Sequence, residues 1–295
     1  MLSAFAGNAA VDRVLDRANI ALGEDVRALI DQGPAEKLNL TINTQPCMLA
    51  AAFAMYAAYR GAGGRAPEMM AGHSLGEYTA LTAASSLLLE DALPLVRFRA
   101  QAMQDAVPVG VGAMAAILGL ADDKVRTACL QAEQGEVVEP VNFNAPSQVV
   151  IAGHAHAVQR ACAEAKALGA KRAVLLPVSA PFHSSLLRPA SEKLRERLSH
   201  VALAAPQVPI VNNIDVAIET EPDRIRDALA RQASGPVRWA ETIARLAHDG
   251  ITHVIECGPG RVLSGMTVRI APSIVNLNIN DPASLQNTLA KLDAL

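Results

Sequence analysis

The sequence predicts an α/β fold in which a doubly wound, mostly parallel sheet is interrupted by a smaller inserted unit. Short apolar stretches of strand length alternate with helical stretches along most of the chain. A Gly-x-Ser-x-Gly turn at 72–76 follows one of these strands and opens a helix. In the middle of the chain the order changes to β-α-β-β-α-β, which indicates a separate unit.

The composition excludes several classes of protein. A chain of 295 residues can hold one large domain with a smaller insert, and a formal net charge of −3 argues against a general nucleic-acid binder. The sequence contains no apolar run of membrane-spanning length and no basic region followed by an apolar leader. Its four cysteines are scattered without metal-ligand spacing, which favours reduced thiols over a disulfide framework or a zinc site. These features predict a cytoplasmic protein without a metal site.

The first part of the chain is predicted to open with helices, although an α/β chain usually opens with a strand. Apolar residues recur at helical spacing from Val11 to Leu22, and Thr44 has the residue type and position of an N-cap. The predicted helices are 11–22, 24–30, 44–59, 77–85 and 90–106, and the predicted strand is 66–71.

The insert is predicted to occupy about 108–178, with the element order of a ferredoxin-like unit. Its strands are predicted at 112–120, 138–143, 148–152 and 172–178, and its helices at 122–132 and 155–168. The larger domain then comprises 1–107 and 179–295. Its second part is predicted to contain strands 208–212, 252–257 and 274–279, and helices at 185–199, at 222–230, from Pro236, after 260 and at the C-terminus.

The turn at 72–76 is the stretch most suggestive of chemistry. Between a strand and a helix this pattern is typical of a nucleophile elbow, in which glycines permit a sharp turn that projects the hydroxyl of Ser74 from the sheet. The N–H of Leu75, at the start of the new helix, would then point at a developing oxyanion. A plain glycine-rich turn is the alternative, but the strand–turn–helix setting favours a catalytic Ser74.

A serine nucleophile needs a base, and His183 is the best candidate among seven histidines. It lies in an irregular, proline-containing loop just after the insert, although the loop backbone could simply hold it. His73 is adjacent to Ser74, so its side chain points elsewhere. Arg99 and Arg97 lie on different faces of one helix, and spacing alone leaves open whether Arg99 is solvated or binds a carboxylate.

Several motifs occur together along the whole chain, in an order and spacing that resemble one family. They are Gly72-His73-Ser74-Leu75-Gly76-Glu77-Tyr78, the segment 97–104, Asn142-Phe143-Asn144, Pro181-Phe182-His183-Ser184, Asn212-Asn213 and Glu256-Cys257-Gly258-Pro259-Gly260. The chain resembles the malonyl-CoA:acyl-carrier-protein transacylases of bacterial fatty-acid synthesis, a family that also includes acyltransferase domains of polyketide synthases. The resemblance implies an α/β-hydrolase-like core with a ferredoxin-like insert.

The resemblance also implies roles for individual residues. Ser74 would be the acylated nucleophile, His183 its general base, and Arg99 the partner of the malonyl carboxylate. The main-chain carbonyl of Gln232 would orient the histidine, and the N–H of Leu75 would bind the oxyanion.

Three more residues are expected to contact the substrate on the same basis, namely Phe182, His73 and Asn142. The implied partners are malonyl-CoA and acyl carrier protein, without nucleic acid or membrane, and no metal or redox cofactor is implied.

Two other functions stay open at this point. The family has an N-terminal strand and a Gly-Gln-Gly-Ser-Gln loop that supplies a second oxyanion N–H, and no Gly-Gln-Gly occurs in this sequence. One alternative is therefore an acyl-carrier-binding protein whose catalysis is impaired because this oxyanion loop is absent. A serine hydrolase or thioesterase, which would share Ser74 and His183, is the other; it would have no use for a buried cation at Arg99.

Overall fold

Helices and strands alternate along the chain in a computed structural model, which describes residues 1–294. The helices are α1 (Ala9–Leu22), α2 (Val26–Gln32), α3 (Ala35–Leu38), α4 (Thr41–Gly61), α5 (Leu75–Ala83), α6 (Leu89–Asp105), α7 (Asp122–Ala132), α8 (Ala155–Ala167), α9 (Arg188–Ser199), α10 (Pro222–Gln232), α11 (Trp239–His248), α12 (Val262–Ile270) and α13 (Pro282–Asp293). The strands are β1 (Met70–Ala71), β2 (Gly112–Leu118), β3 (Val138–Ala145), β4 (Gln148–His154), β5 (Arg172–Leu175), β6 (Ile210–Val211), β7 (His253–Cys257) and β8 (Val275–Ile279). Short 3-10 helices lie at Ser3–Phe5 and Ser185–Leu187.

The parallel strands form two hydrogen-bonded pairs, β1 with β6 and β7 with β8. Successive side chains of a strand point to opposite faces, and here each face is covered. Met70 and Ile210 pack into a large core with α1, α4, α5 and α6. Their neighbours Ala71 and Val211 pack into a second core with α11 and α12. The strands are thus packed between two helical layers, which confirms the predicted doubly wound α/β arrangement.

The middle of the chain forms a separate antiparallel sheet in the order β3-β4-β2-β5. Helices α7 and α8 cover one face of this sheet with an apolar core of their own. The main chain of Val237 joins the sheet to the larger unit, since Phe143 donates to Val237 at 2.9 Å and Val237 donates to Val141 at 2.8 Å. The domain boundaries at 108 and 178 stay a prediction.

The structure corrects several predicted boundaries. Strand β1 spans two residues of the predicted 66–71, because β6 offers only Ile210 and Val211 as pairing partners. Thr44 is not an N-cap: α4 begins at Thr41, and the Thr44 hydroxyl donates to the carbonyl of Leu40, four residues earlier, at 3.1 Å. A hydroxyl that bonds to a preceding carbonyl in this way is typical of a threonine within a helix.

The helix predicted from Pro236 begins instead at Trp239. Val237, directly after Pro236, is paired with Asn142 of β3 as an extended segment, which delays the helix. Of the helices in residues 1–294, none combines the length and apolar character that crossing a bilayer requires.

Candidate active site

Ser74 lies in a strained turn between β1 and α5. Its φ of 51° and ψ of −107° are unusual for a residue with a side chain. Such a conformation costs on the order of 1–3 kcal/mol and persists only where surrounding structure holds it. Gly72 is required here, because a Cβ would lie 1.9 Å from the carbonyl carbon of Gly76. A Cβ on Gly76 would meet no atom within 4 Å, so the expectation that the glycines permit the turn holds for Gly72 only.

The side chain of Asn213 clamps this turn from just beyond the end of the neighbouring strand β6. Its Oδ1 accepts from the N–H of Ser74 at 2.6 Å, and its Nδ2 donates to the carbonyl of Gly72 at 2.7 Å. Asn213 is fully buried, so both bonds are shielded from water. One amide therefore fixes the backbone on either side of His73 and holds the strained Ser74 in place.

Ser74, His183 and Gln232 form a hydrogen-bonded chain. His183 Nδ1 lies 2.8 Å from the main-chain carbonyl of Gln232, and His183 Nε2 lies 2.8 Å from Ser74 Oγ. Because a carbonyl oxygen only accepts, Nδ1 carries the proton and Nε2 is free to accept the serine hydroxyl. The geometry suits a general base, with a neutral carbonyl where many serine enzymes have an acid.

The electrostatic surroundings keep His183 neutral. Burial and the positive charge of Arg99 lower the pKa of His183 to about 3, although the carbonyl of Gln232 favours the protonated ring. A neutral imidazole is the form that can take a proton from a serine.

Arg99 is a buried cation beside the nucleophile, with 2% of its surface exposed. Its Nη1 donates to Gln45 Oε1 at 2.7 Å, and its Nη2 donates to Ser74 Oγ at 2.9 Å and Gln232 Oε1 at 3.0 Å. All three acceptors are neutral, and no salt bridge within residues 1–294 involves Arg99. A buried guanidinium without an anionic partner is suited to binding a carboxylate.

The neighbouring arginine has a different environment. Arg97 lies on another face of α6, where it is 26% exposed and forms an ion pair with Glu24. The two candidates that spacing could not separate are thus separated by the structure: Arg99 enters the site and Arg97 does not.

Glu77 stands behind this arrangement, in the first turn of α5. Its Oε2 accepts from the N–H of Asn213 at 2.9 Å and from Nε2 of Gln232 at 2.9 Å. Burial raises the pKa of Glu77 to about 7, while the two donors and the charge of Arg99 favour its ionised form.

His73, Asn142 and Phe182 lie at the side of the inserted sheet. His73 Nε2 is 2.8 Å from Oδ1 of Asn144, and its ring packs 5.6 Å from that of Trp239. It thus turns away from Ser74, as expected. Asn142 is 9% exposed, and its Oδ1 has no hydrogen-bond partner among the described residues.

Phe182 packs between the two units. It contacts an apolar cluster around α6 and a second cluster on the inserted sheet. It also directly precedes His183, so its packing helps to place that loop. Its contact with substrate, like those of His73 and Asn142, stays a prediction.

Sequence reasoning missed three contributors to the site, namely Gln45, Glu77 and the amide of Asn213. Each is a polar residue that the fold buries, and Glu77 and Asn213 fall inside the quoted motifs. A buried polar residue requires a hydrogen-bond partner, and that requirement is the signal that could have found them. Among residues 1–294, no group of three histidine, cysteine, aspartate or glutamate side chains could hold a metal ion.

Comparisons with known proteins agree on one family. The model of the acyl transferase domain matches residues 3–275. A malonyl CoA-acyl carrier protein transacylase from Escherichia coli is 50% identical over 279 residues, which cover 95% of this chain and 90% of that protein. A protein of the same name from Bacillus subtilis is 40% identical over 284 residues, covering 96% of this chain and 89% of the relative.

Solved structures agree as well. The crystal structure of an acyl-carrier-protein S-malonyltransferase from Burkholderia pseudomallei matches with a TM-score of 0.97 and 61% identity, covering 98% of this chain and 94% of that one. A malonyl-transacylase in complex with a type II polyketide synthase acyl-carrier protein matches with a TM-score of 0.97 and 46% identity, covering 99% of this chain and 94% of that chain.

Proposed function

The chain belongs to the acyl transferase family, and on that premise we propose that it transfers a malonyl group from malonyl-CoA to the phosphopantetheine thiol of acyl carrier protein. The observation that carries the proposal is the contact between Arg99 and Ser74. A buried cation without an anionic partner lies 2.9 Å from a nucleophile that is itself bonded to a neutral histidine. The cation matches the free carboxylate of a malonyl thioester, and the nucleophile matches its carbonyl carbon.

In the first half-reaction, Ser74 Oγ attacks the thioester carbonyl while its proton passes to His183 Nε2. The negative charge that develops on the carbonyl oxygen is stabilised by the N–H of Leu75. That group lies in the first turn of α5, where a helix has no acceptor for it. The C–S bond then breaks, His183 returns the proton to the departing CoA sulfur, and a malonyl ester of Ser74 remains.

The second half-reaction reverses these roles. The carrier-protein thiol gives its proton to His183 Nε2, its sulfur attacks the ester, and Ser74 leaves with the proton. The carbonyl of Gln232 keeps the ring in one tautomer through both halves. The malonyl ester of Ser74 must survive between the two half-reactions. During that time Arg99 stays paired with the free carboxylate of the malonyl group.

The proposal further assigns the protein to fatty-acid synthesis in the cytoplasm. The cysteines support the compartment, since Cys47, Cys129, Cys162 and Cys257 are all free, as is usual for a reducing environment. Burial raises the pKa of Cys129 to about 12, so this thiol is unreactive.

A labelled-malonyl assay tests the function. The chain is incubated with labelled malonyl-CoA, and protein-bound label is measured before and after addition of acyl carrier protein. We expect label on Ser74 that passes to the carrier protein and is absent from Ser74→Ala. Release as free malonate would indicate the hydrolase alternative. Absence of any bound label would indicate a non-catalytic carrier-binding protein.

A further inference from the structure

The carboxylate of Glu77 contacts two of the groups that build the site, but not the reacting atoms. It is 3% exposed, and a single oxygen, Oε2, accepts from the main chain of Asn213 and from the side chain of Gln232, both at 2.9 Å. Two N–H donors on one buried oxygen require a strong acceptor, which a carboxylate provides.

The side chain of Gln232 has a directional role that depends on this contact. Its Nε2 donates to Glu77 and to the carbonyl of Ser74 at 3.1 Å, and its Oε1 accepts from Arg99 at 3.0 Å. If the amide flipped, its NH₂ would face the N–H donors of Arg99 and its oxygen would face two acceptors. The acceptor at Glu77 therefore selects the one orientation in which Gln232 holds Arg99.

We propose that Glu77 is a positioning residue that acts through Gln232 on Arg99, and so sets the preference of the site for acyl groups with a free carboxylate. The inference rests on the proposed function and deepens it. Glu77 need not touch the substrate, because Gln232 separates it from the guanidinium. The same glutamine holds His183 through its main chain, which a side-chain flip leaves in place.

The test compares variants that keep or remove the acceptor. In Glu77→Gln the amide oxygen can take the place of Oε2 and accept both bonds, so malonyl transfer should stay within about threefold of the parent. Glu77→Met fills similar space without a strong acceptor. We expect it to lower the malonyl-to-acetyl ratio of kcat/KM by about tenfold, mainly through the KM for malonyl-CoA.

Gln232→Met tests the route by which Glu77 acts. It removes the amide while leaving the carbonyl that holds His183, so it should lower the same ratio by a similar factor. The double variant Glu77→Met/Gln232→Met should then be no worse than either single variant, because both remove one relay. If the fall of the malonyl-to-acetyl ratio in the double variant equals the product of the two single falls, the proposal is overturned. If Glu77→Met fails to fold, an unchanged ratio in Gln232→Met overturns it alone.

A matched control comes from Glu256. Its carboxylate also accepts main-chain N–H groups at a helix start, from Leu263 and Ser264, but it has no contact with Ser74, Arg99 or His183. Glu256→Met should lower thermal stability and leave the malonyl-to-acetyl ratio unchanged. The parent enzyme is assayed in parallel. A parent that transfers no malonyl group refutes the proposed function, whereas an active parent with unchanged ratios in every variant refutes only the role of Glu77.

Discussion

Arg99 Nη2 donates to Ser74 Oγ across 2.9 Å, so the buried cation and the nucleophile are in direct contact. The same nitrogen also donates to Gln232 Oε1 at 3.0 Å. A carboxylate that takes both terminal nitrogens of the guanidinium in a bidentate pair competes with both contacts. We infer that binding the substrate carboxylate loosens the bond from Arg99 to Ser74. This would leave the serine lone pairs free for attack on the carbonyl.

Arg99→Ala should remove selectivity for carboxylated acyl groups. A bidentate, charge-assisted pair in a buried site is worth on the order of 2–4 kcal/mol, so malonyl transfer should fall about a hundredfold or more. Acetyl transfer, which has no carboxylate to bind, should fall much less. Steady-state kcat/KM for malonyl-CoA and acetyl-CoA measures the difference.

The control for this substitution lies two residues away. Arg97→Ala removes an arginine from the same helix, but one that pairs with Glu24 at the surface. It should leave the ratio of the two substrates unchanged. Equal loss of malonyl and acetyl transfer in Arg99→Ala would contradict the assignment and make Arg99 a structural residue.

Acylation should depend little on pH across the range where a histidine ordinarily titrates. Burial and Arg99 hold the pKa of His183 at about 3, so the ring stays neutral well below its usual value. We expect kcat/KM for acylation to be flat from about pH 5 to about pH 8. The measurement uses the Glu77→Gln background, because the pKa of Glu77 at about 7 falls within that range.

Removing the cation should partly undo this behaviour, because burial, the larger cause of the lowered pKa, remains. Arg99 disfavours the protonated ring, so Arg99→Ala raises the pKa of His183 toward its ordinary value of about 6.5. In the profile of kcat/KM against pH, the fall on the acid side should therefore move to higher pH. The substrate for this measurement is acetyl-CoA. An acid-side fall near pH 6.5 already in Glu77→Gln, or one that does not shift when Arg99→Ala is added to that background, would show that this charge does not govern the pKa of His183.

The sequence predicts the features of this protein that depend on local pattern. The turn at 72–76 predicts the place of Ser74, because the strand, the glycine and the helix start are neighbours along the chain. The order of elements predicts the separate antiparallel sheet for the same reason. The loop after the insert indicates His183 as the base, and the resemblance to a known family adds the role of Arg99, whose approach to Ser74 no spacing could indicate.

The features that the sequence does not predict depend on contacts between distant segments. The length of β1 is set by its pairing with β6, which lies about 140 residues further along the chain. The contact between Glu77 and Gln232 likewise joins residues 155 positions apart. Gln45 falls at the start of the helix predicted over 44–59, whereas its role comes from its bond with Arg99 on another helix.

Phe182→Ser should raise the use of methylmalonyl-CoA relative to malonyl-CoA. A smaller side chain beside the acyl α-carbon leaves room for the extra methyl group. The gain should be modest, since one methyl group in a pocket is worth only about 1–3 kcal/mol. Competition between the two thioesters, read as the ratio of acylated carrier proteins, measures it.

The packing of Phe182 between two apolar clusters adds a second expectation. Its truncation leaves a cavity, so thermal stability should fall as well. Leu186 packs in one of these clusters and serves as the control: Leu186→Ala should lower stability without changing the substrate ratio. An unchanged ratio in Phe182→Ser would make Phe182 a packing residue alone.

Asn213→Ala should slow acylation of Ser74 by malonyl and acetyl groups alike. It removes both bonds that clamp the elbow, at Ser74 N and Gly72 O. The strain at Ser74, on the order of 1–3 kcal/mol, then relaxes toward an ordinary backbone conformation and moves Oγ away from His183. Because Arg99 makes no bond to Asn213, the ratio between the two acyl groups should stay near that of the parent.

Single-turnover acylation rates with both thioesters measure this effect, and we expect a fall of about tenfold to a hundredfold for each. Leaving Gly72 O and Ser74 N unpaired in a buried site should also lower the free energy of unfolding by about 1–3 kcal/mol. Asn278→Ala is the control, because it removes an asparagine side chain from β8 that bonds only to Asn280 in the described chain. A rate in Asn213→Ala equal to that of this control would mean that the elbow holds Ser74 without the clamp. A loss confined to malonyl would instead place Asn213 with Arg99 in carboxylate binding.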